Sequence, residues 1–377
     1  MGSAKFAKLA LVLLVLPGLS SAQTYTVLHS FSGAPDGANP EASLILDSAA
    51  NLYGTTSFGG AANAGAIFKL DPSGNESLLY SFTGGTDGGN PAAALIEDSA
   101  GNLYGTTLSG GATGEGTVFK FMPTGAAFPL HVFAVKKDGH SPAASLLRDS
   151  AGSLYGTTVL GGSANDGVVF RVDSSGHETI LYKFRGTDGA NPFSGLLLDP
   201  AGNLYGTTCR GKGTSGNVFA LTPSGTQSVL HKFTGKNDGG SPRAGLIIDS
   251  AGILYGTTVY GGTHRAGTVF KVNPLSAQEK VLYSFSGGAD GGDPYGGLVR
   301  DSLGNLYGTT YYGGAFGYGT IFKLDPAGNE TVLYSFAGGS DGLGPMAGLV
   351  RDAAGNLYGT TIYGGANGFG VVFKLVP

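Results

Sequence analysis

The sequence has no tryptophan, a single cysteine and few charged side chains. With Cys209 alone, the chain cannot form an internal disulfide, so stability has to come from apolar burial and strand pairing. Charged residues make up 13% of the 377 residues and the formal net charge is −4. Because a phosphate backbone is bound through an excess of basic side chains, we predict no nucleic-acid partner.

The first 22 residues have the features of an export signal. Lys5 and Lys8 precede an apolar run from Leu9 to Leu16, and small residues lead up to a cleavage position after Ala22. The run is too short to span a bilayer. We therefore predict a signal peptide at 1–22, one domain at 23–377, a secreted or periplasmic location and no stable membrane span after cleavage.

One motif, Leu-Tyr-Gly-Thr-Thr, repeats through the rest of the chain with a spacing of 50–52 residues. Its tyrosines are Tyr53, Tyr104, Tyr155, Tyr205, Tyr255, Tyr307 and Tyr358. A supersecondary unit repeated at such a period forms one domain rather than several. The 69 glycines cluster at fixed offsets within the repeats, which is typical of turns and not of collagen.

Each repeat divides into four short segments with the alternation and β-branched content of strands. In the fifth repeat the predicted strands are 244–249, 254–258, 268–272 and 281–285. Apart from the signal peptide, no segment has sustained helical spacing. The sequence therefore predicts an all-β protein.

The two ends of the repeat region predict a closed ring. The region begins with a fourth-type strand, Thr26–Phe31, and finishes with a third-type strand, Val371–Leu375. These two strand types form a hairpin elsewhere, so here they are expected to pair across the termini. We predict a seven-bladed β-propeller of four-stranded blades, with first strands lining the channel and fourth strands at the rim. The loops between fourth and first strands and between second and third strands then share one face, called here the upper face.

The motifs LYGTTxxGG and GTVFKLDPxG resemble the GloVer-type tandem repeat of exported bacterial proteins, over essentially the whole mature chain. The segment GLxxD-SAGNLY is more weakly similar to NHL-type and gluconolactonase-like propeller repeats. The resemblance implies a secreted or surface location and carries no established activity. The chain stops at Pro377 without the variable anchor of other members, which favours release or periplasmic retention.

Two sets of aspartates recur once per repeat, and we interpret both as turn residues. Uniform recurrence favours hydrogen bonds to nearby backbone amides over a ring of calcium ligands. The first set precedes glycine and comprises Asp36, Asp87, Asp138, Asp188, Asp238, Asp290 and Asp341. The second set follows the first strand and comprises Asp47, Asp98, Asp149, Asp199, Asp249, Asp301 and Asp352.

Function is expected where the repeats differ, and two upper-face positions vary most. One follows the proline before the first strand: Glu41, Ala92, Ala143, Phe193, Arg243, Tyr295 and Met346. The other lies two residues after Thr-Thr: Phe58, Ser109, Leu160, Arg210, Tyr260, Tyr312 and Tyr363. Exposed aromatic rings suit sugars and peptide side chains. We predict binding of a polysaccharide, peptide or cell-surface protein by Phe58, Arg243, Tyr260, Tyr295, Tyr312 and Tyr363, the alternative being that these aromatics pack the glycine-rich loops.

No catalytic residue, metal ligand or cofactor is predicted, and the protein is expected to be a monomer. The rival hypothesis is a gluconolactonase-like hydrolase or lyase with a divalent metal held by Glu41 and loop aspartates. A purely structural surface protein is a third alternative. The six histidines suggest no site, since His29, His131 and His231 replace a fourth-strand tyrosine. Cys209 occupies a position that is apolar in most repeats, which favours a buried role.

Overall fold

Seven four-stranded antiparallel sheets form the protein. The structure is a computed structural model, and it describes residues 23–134 and 138–377. The predicted signal peptide lies outside the described residues. The strands are named a to d from the channel outward; in six sheets they follow one another in chain order, and in the seventh the N-terminal strand takes position d. This arrangement confirms the predicted seven-bladed β-propeller.

The strand bounds repeat from blade to blade. Strands a are Ile45–Leu46, Ile96–Glu97, Leu147–Arg148, Leu197–Leu198, Ile247–Ile248, Val299–Arg300 and Val350–Arg351. Strands b are Leu52–Thr56, Leu103–Thr107, Leu154–Thr158, Leu204–Thr208, Leu254–Thr258, Leu306–Thr310 and Leu357–Thr361. Strands c are Ala66–Leu70, Thr117–Phe121, Val168–Val172, Asn217–Leu221, Thr268–Asn273, Thr320–Leu324 and Val371–Val376. Strands d are Glu76–Ser81, Ala127–Val132, Glu178–Lys183, Gln227–Lys232, Gln278–Ser284 and Glu330–Ser335, with Thr24–Ser30 serving blade 7.

Little regular structure lies outside the blades. Gly37–Ala38 pairs with Phe58–Gly59 on the upper face, and Gly339–Asp341 forms a single 3-10 turn. In the part of the chain that the structure describes, no helix has the length and apolar character needed to cross a membrane.

The glycine of Leu-Tyr-Gly-Thr-Thr makes room for the phenylalanine of strand c. In blade 5, Gly256 lies opposite Phe270, and a Cβ added to Gly256 would be 2.7 Å from Cζ of that ring and 2.9 Å from Cδ2 of Leu246. Since carbon atoms in contact are normally about 3.5–4.0 Å apart, no larger residue fits. The same glycine–phenylalanine pair occurs in every blade. The motif is therefore a packing motif.

The first threonine of the motif ties each blade to the next. Its hydroxyl donates to a backbone carbonyl in the segment leading to strand a of the following blade, as from Thr55 to Ala93 at 3.2 Å. The last of these bonds runs from Thr360 of blade 7 to Ala42 of blade 1, at 3.4 Å, and so completes the circle. The five between are Thr106 to Ala144, Thr157 to Ser194, Thr207 to Ala244, Thr257 to Gly296 and Thr309 to Ala347.

Phenylalanine pairs fill the spaces between the blades. The phenylalanine that directly follows strand d of one blade packs edge-on against the strand c phenylalanine of the next, with ring centroids 5.0–5.4 Å apart. All of these rings are at most 1% exposed. The pairs are Phe31–Phe68, Phe82–Phe119, Phe133–Phe170, Phe184–Phe219, Phe233–Phe270, Phe285–Phe322 and Phe336–Phe373.

The N-terminal strand closes the ring as predicted. Thr24–Ser30 pairs with Val371–Val376 in antiparallel register, beginning with Thr24 opposite Val376. Tyr25 on this strand stacks on Tyr334 of blade 6 with ring centroids 4.0 Å apart, and its hydroxyl donates to the Asp341 carbonyl at 2.7 Å. The strand therefore joins blade 7 and also packs against blade 6.

The innermost strands are shorter than expected. The sequence predicted a strand over 244–249, whereas only Ile247–Ile248 pairs with strand b. Before it, the Ala244 carbonyl accepts from Thr207 of the preceding blade, and Leu246 packs against the motif glycine of its own blade. The segment is shortened because its polar groups serve the neighbouring blade.

Deleting residues 23–31 is expected to destabilise the whole ring. The deletion removes a complete outer strand and Phe31, which is fully buried against Phe68. We expect a single cooperative melting transition at a temperature lowered by 10 °C or more, or an insoluble product, because a lost phenylalanine alone costs about 3–5 kcal/mol. Differential scanning calorimetry of the two proteins measures this, and identical melting would refute closure by this strand.

Candidate functional site

A cavity lies at the upper mouth of the central channel. Its volume is about 310 Å³, and the segments leading to strand a of all seven blades line it. The variable residues that follow the conserved proline all belong to this lining: Glu41, Ala92, Ala143, Phe193, Arg243, Tyr295 and Met346. One of the two positions at which the repeats vary most thus faces the cavity in every blade.

The cavity is asymmetric because the seven lining residues differ in size. Ala92 and Ala143 leave one side open, and Phe193, Arg243 and Tyr295 crowd the opposite side. The Arg243 guanidinium lies between two rings, 5.0 Å from the Phe193 centroid and 5.5 Å from that of Tyr295. Two flat faces hold one cation in position at the mouth of the channel.

Arg243 has no carboxylate partner among residues 23–134 and 138–377. Its Nε is buried and makes no hydrogen bond there. A guanidinium carries five N–H donors in a planar fork that matches a carboxylate or phosphate. A guanidinium that is fixed in position and not neutralised by a carboxylate can therefore bind an anionic group of a ligand.

The aromatic side of the mouth extends outward through Tyr311. The Tyr311 ring meets Tyr295 edge-on at 5.6 Å, and its position is occupied in other blades by smaller residues such as Ser57 and Cys209. Burial together with the phenols of Tyr363 and Tyr295 raises the pKa of Tyr311. Cys209 is 2% exposed, as expected from its position, and lines a small recess beside Phe193 and Arg243.

Glu41 is the sole acidic residue of the described cavity lining. Burial raises the pKa of Glu41. A gluconolactonase-like metal ion would need several converging carboxylate or imidazole ligands. The residues that line this cavity do not fit such an ion, because Glu41 brings one carboxylate and the loop aspartates are engaged elsewhere.

The other four candidates lie outside the cavity. Phe58, Tyr260, Tyr312 and Tyr363 are equivalent residues in the loops after strand b, each bridged to the loop that precedes strand a. The bridges put both kinds of loop on one face, as predicted. Phe58, Tyr260 and Tyr363 are 42–44% exposed and Tyr312 is partly buried. The structure thus brings Arg243 and Tyr295 together but places these four in an outer ring.

Some of the outer tyrosines pack on glycine-rich loops. A Cβ added to Gly240 would lie 2.7 Å from the Tyr260 ring, and one added to Gly292 would lie 2.5 Å from the Tyr312 ring. For these two residues, the structure supports the alternative stated for the sequence, namely packing of the loops by their own aromatics. Tyr260 is still 42% exposed, whereas Tyr312 also packs against a core cluster.

Both aspartate sets cap turns, as predicted. Asp98 accepts from the side-chain and backbone amides of Asn102, from the Tyr104 hydroxyl and from the backbone amide of Ala100. These bonds lower the pKa of Asp98 to about 2 although burial opposes them. In the first set, each carboxylate accepts from a backbone amide three or four residues earlier. The tyrosine hydroxyls of the motif are therefore structural.

Sequence reasoning missed one group of side chains at the rim. His131 and Asp138 of blade 2 lie 3.2 Å apart, and Glu178 of blade 3 lies close enough for one ligand atom of each to fall within 4.8 Å of the others. Burial, followed by the charge of Asp138, raises the pKa of Glu178 to about 7. The available signal was the joint occurrence of histidine and glutamate in successive repeats.

The residue before the conserved proline has a positive φ in all seven blades. Asparagine at this position donates its side-chain amide to a carbonyl of the preceding blade, as from Asn90 to Ser57 at 2.9 Å. In blade 6 the residue is Asp293, with φ 52°, and an ionised carboxylate has no hydrogen to donate. Burial raises the pKa of Asp293 to about 6.

A family match covers the chain from residue 18 to its end. The model of the Gloeobacter/Verrucomicrobia repeat matches residues 18–215 and 196–377. The fold and the repeated motifs define a β-propeller repeat protein. The chain belongs to the Gloeobacter/Verrucomicrobia repeat family, as the GloVer resemblance predicted. No functionally curated protein matches its sequence.

Solved structures share the fold at low identity. The extracellular domain of the putative one component system BT4673 from B. thetaiotaomicron has a TM-score of 0.60 and 15% identity; the match covers 94% of this chain and 41% of that one. Oligogalacturonate lyase from Vibrio parahaemolyticus has a TM-score of 0.57 and 10% identity, covering 94% and 93%. A gluconolactonase from Xanthomonas campestris has a TM-score of 0.45 and 12% identity, covering 93% and 88%. The first two likenesses concern the fold.

Asp293→Asn is expected to stabilise the protein at neutral and basic pH. Burial disfavours the ionised form of Asp293 in the folded state. The protonated form therefore contributes stability that is fully present below the unfolded pKa near 3.8 and is lost as the pH rises through about 6. Asparagine restores a hydrogen bond worth about 1 kcal/mol. The melting temperature should rise more at pH 8 than at pH 4.5.

The reverse change, Asn90→Asp, is the matched control, and it should lose stability over the same rise in pH. An equal melting-temperature difference between Asp293→Asn and the unmodified protein at both pH values would contradict this account of Asp293.

Proposed function

We propose that the protein is an exported, non-catalytic binding propeller whose upper face holds a glycan or peptide ligand. The observation that carries this proposal is the Arg243 guanidinium, fixed between Phe193 and Tyr295 at the channel mouth without a carboxylate partner in the described chain. A cation held in this way is complementary to an anionic group of a ligand.

The chemistry of the mouth narrows the ligand class. The cavity volume of about 310 Å³ suits one sugar ring or one peptide terminus rather than a folded domain. Its flat side is aromatic, its open side is lined by Ala92 and Ala143, and Glu41 supplies one acceptor. We infer a ligand that inserts a carboxylate-bearing end, from an acidic polysaccharide or a peptide C-terminus, toward Arg243.

The outer aromatic ring would extend the contact beyond the mouth. Phe58, Tyr260 and Tyr363 expose more than two fifths of their surface on the same face. Aromatic rings stack on sugars and peptide side chains at little entropic cost. In this proposal the mouth supplies specificity through charge, and the outer ring supplies additional apolar contact with a chain-like ligand.

Export is part of the same proposal. The signal-like segment at 1–22 supports it, and the BT4673 domain that shares the fold is described as extracellular. An acidic cell-surface or environmental polymer would be accessible to a protein in that location. Sequencing the N-terminus of protein recovered from the periplasm or medium tests this inference, with Gln23 expected as the first residue.

Arg243→Gln is expected to weaken binding of acidic ligands by about tenfold or more, since a hydrogen bond to a charged group contributes about 1.5–3 kcal/mol. An array of neutral and acidic oligosaccharides and of peptides with free or amidated C-termini identifies the ligand, and titration calorimetry then gives the affinity.

Arg300→Gln is the matched control. Arg300 lies on strand a over Tyr255 and outside the cavity lining, so its replacement changes the net charge equally. Equal affinities for both variants would contradict a role for Arg243.

Two further variants locate the ligand on the upper face. Ala143→Phe should block the open side of the mouth and abolish binding while the melting temperature stays within a few degrees of the unmodified protein. Replacing Tyr260, Tyr312 and Tyr363 together with alanine should weaken binding of long ligands more than that of short ones. Unchanged binding in both would remove the upper face from consideration.

A further inference from the structure

The rim between blades 2 and 3 has a cleft lined by His131, Asp138 and Glu178. His131 Nε2 lies 3.2 Å from Asp138 Oδ2, and one ligand atom from each of the three residues falls within 4.8 Å of the other two. The His131 and Asp138 side chains are 14% and 13% exposed. The cleft is far from the channel mouth, because its histidine and glutamate belong to strands d, the outermost strands of their blades.

Two of the three side chains are held in position by the fold. The amide of Ala134 donates to Asp138 Oδ1 at 3.1 Å, and Oδ2 of the same carboxylate lies against His131 Nε2. The His131 ring meets Phe133 edge-on at 4.8 Å. The buried Oε1 of Glu178 has no hydrogen-bond partner among the described residues. The cleft thus contains preset donor atoms and one unsatisfied carboxylate oxygen.

The same three residue types recur at two other blade junctions. The junction between blades 7 and 1 has His29, Asp36 and Glu76, with a histidine–aspartate distance of 3.3 Å. The junction between blades 4 and 5 has His231, Asp238 and Glu279, with a histidine–aspartate distance of 3.4 Å. The Oε1 atoms of Glu76 and Glu279, and that of Glu330 at a junction with tyrosine, are likewise buried without a partner in the described part of the chain. Wherever this strand d position is histidine, the following blade brings a glutamate.

The remaining junctions have tyrosine in place of histidine. There the phenol donates to the aspartate, as from Tyr80 to Asp87 at 3.0 Å, so the carboxylate is satisfied without any further group. The equivalents of the glutamate are Ala127, Gln227, Glu330 and Tyr25. Glutamate accompanies all three histidines but only one of the four tyrosines, which links the two residues to a common role.

Two carboxylates and one imidazole form a donor set with excess negative charge. An imidazole nitrogen and carboxylate oxygens are ligands of Zn²⁺, with metal–ligand distances of about 2.0–2.2 Å, whereas Ca²⁺ takes six to eight oxygens. Three protein ligands at a partly exposed cleft leave a fourth position for water. A cation here would neutralise the paired carboxylates and connect two blades in a chain that has no disulfide.

We propose that His131, Asp138 and Glu178 form a binding site for a divalent metal ion of the Zn²⁺ class that joins blades 2 and 3. His131 binds through Nε2, and Glu178 moves toward the ion through its flexible side chain. The clefts of His29 and His231 bind the same ion more weakly, because among the described residues only the His131 cleft has its three ligand atoms within 4.8 Å. This site is independent of the ligand proposed for the channel mouth.

The test is titration of the chelator-treated, full-length mature protein with Zn²⁺ and with Co²⁺. We expect one tight site and two weaker ones by calorimetry, and visible Co²⁺ absorption typical of low coordination number. At 100 times the dissociation constant, Zn²⁺ should raise the melting temperature by about 5 °C. Glu178→Gln and His131→Ala should each remove the tight site and lower the affinity at least tenfold. Replacing the exposed loop residue His264 with alanine should change neither.

A gain-of-site variant keeps the test decisive if the loss variants fold poorly. Tyr283→His places histidine beside Asp290 and Glu330 and should add one Zn²⁺ site. Tyr80→His, at a junction where the glutamate position is Ala127, should add none. The proposal is overturned if the protein shows no saturable Zn²⁺ binding, if Glu178→Gln binds as the unmodified protein does, or if the two tyrosine variants behave alike.

Discussion

The structure depends on the contact between a phenylalanine that ends one blade and the phenylalanine of strand c in the next. These rings are almost completely buried, and the second of each pair lies over the motif glycine of its own blade. Burial of aromatic surface is the largest favourable term available to a chain with little charge and no cross-links. Every blade inserts one ring into the next blade and receives one from the blade before. The contact between Phe31 and Phe68 is therefore needed to cover the apolar faces of blades 7 and 1.

This sevenfold scaffold leaves few positions free to vary. Within the motif, the glycine must admit a ring, the threonine must reach the next blade and the tyrosine must satisfy an aspartate. Most variation therefore lies outside the packing motif, where two groups of residues stand out. The ring at the channel mouth departs most from symmetry, and the outer edges of the blade junctions alternate between histidine and tyrosine.

Much of the fold could be predicted from the sequence because its determinants are local or periodic. The motif spacing set the number of blades, and the strand types at Thr26 and Val371 predicted closure. The length of strand a could not be predicted, since its backbone partners lie in other blades. At the site, the sequence identified the ring containing Arg243 and Tyr295 but did not single out Phe193. The His131 cleft could not be predicted because its residues come from two repeats, and their distance depends on how adjacent blades pack.

The outer hairpins all contain a register shift, for example between Val118 and Phe119 and between Val169 and Phe170. A shift of this kind is a β-bulge, which bends the strand and interrupts its regular row of unpaired amides and carbonyls. Seven outer strands with unbroken edges would be templates for pairing with other molecules. The bulges, together with Pro129 on one of these edges, protect an otherwise apolar and cysteine-poor protein from edge-to-edge aggregation.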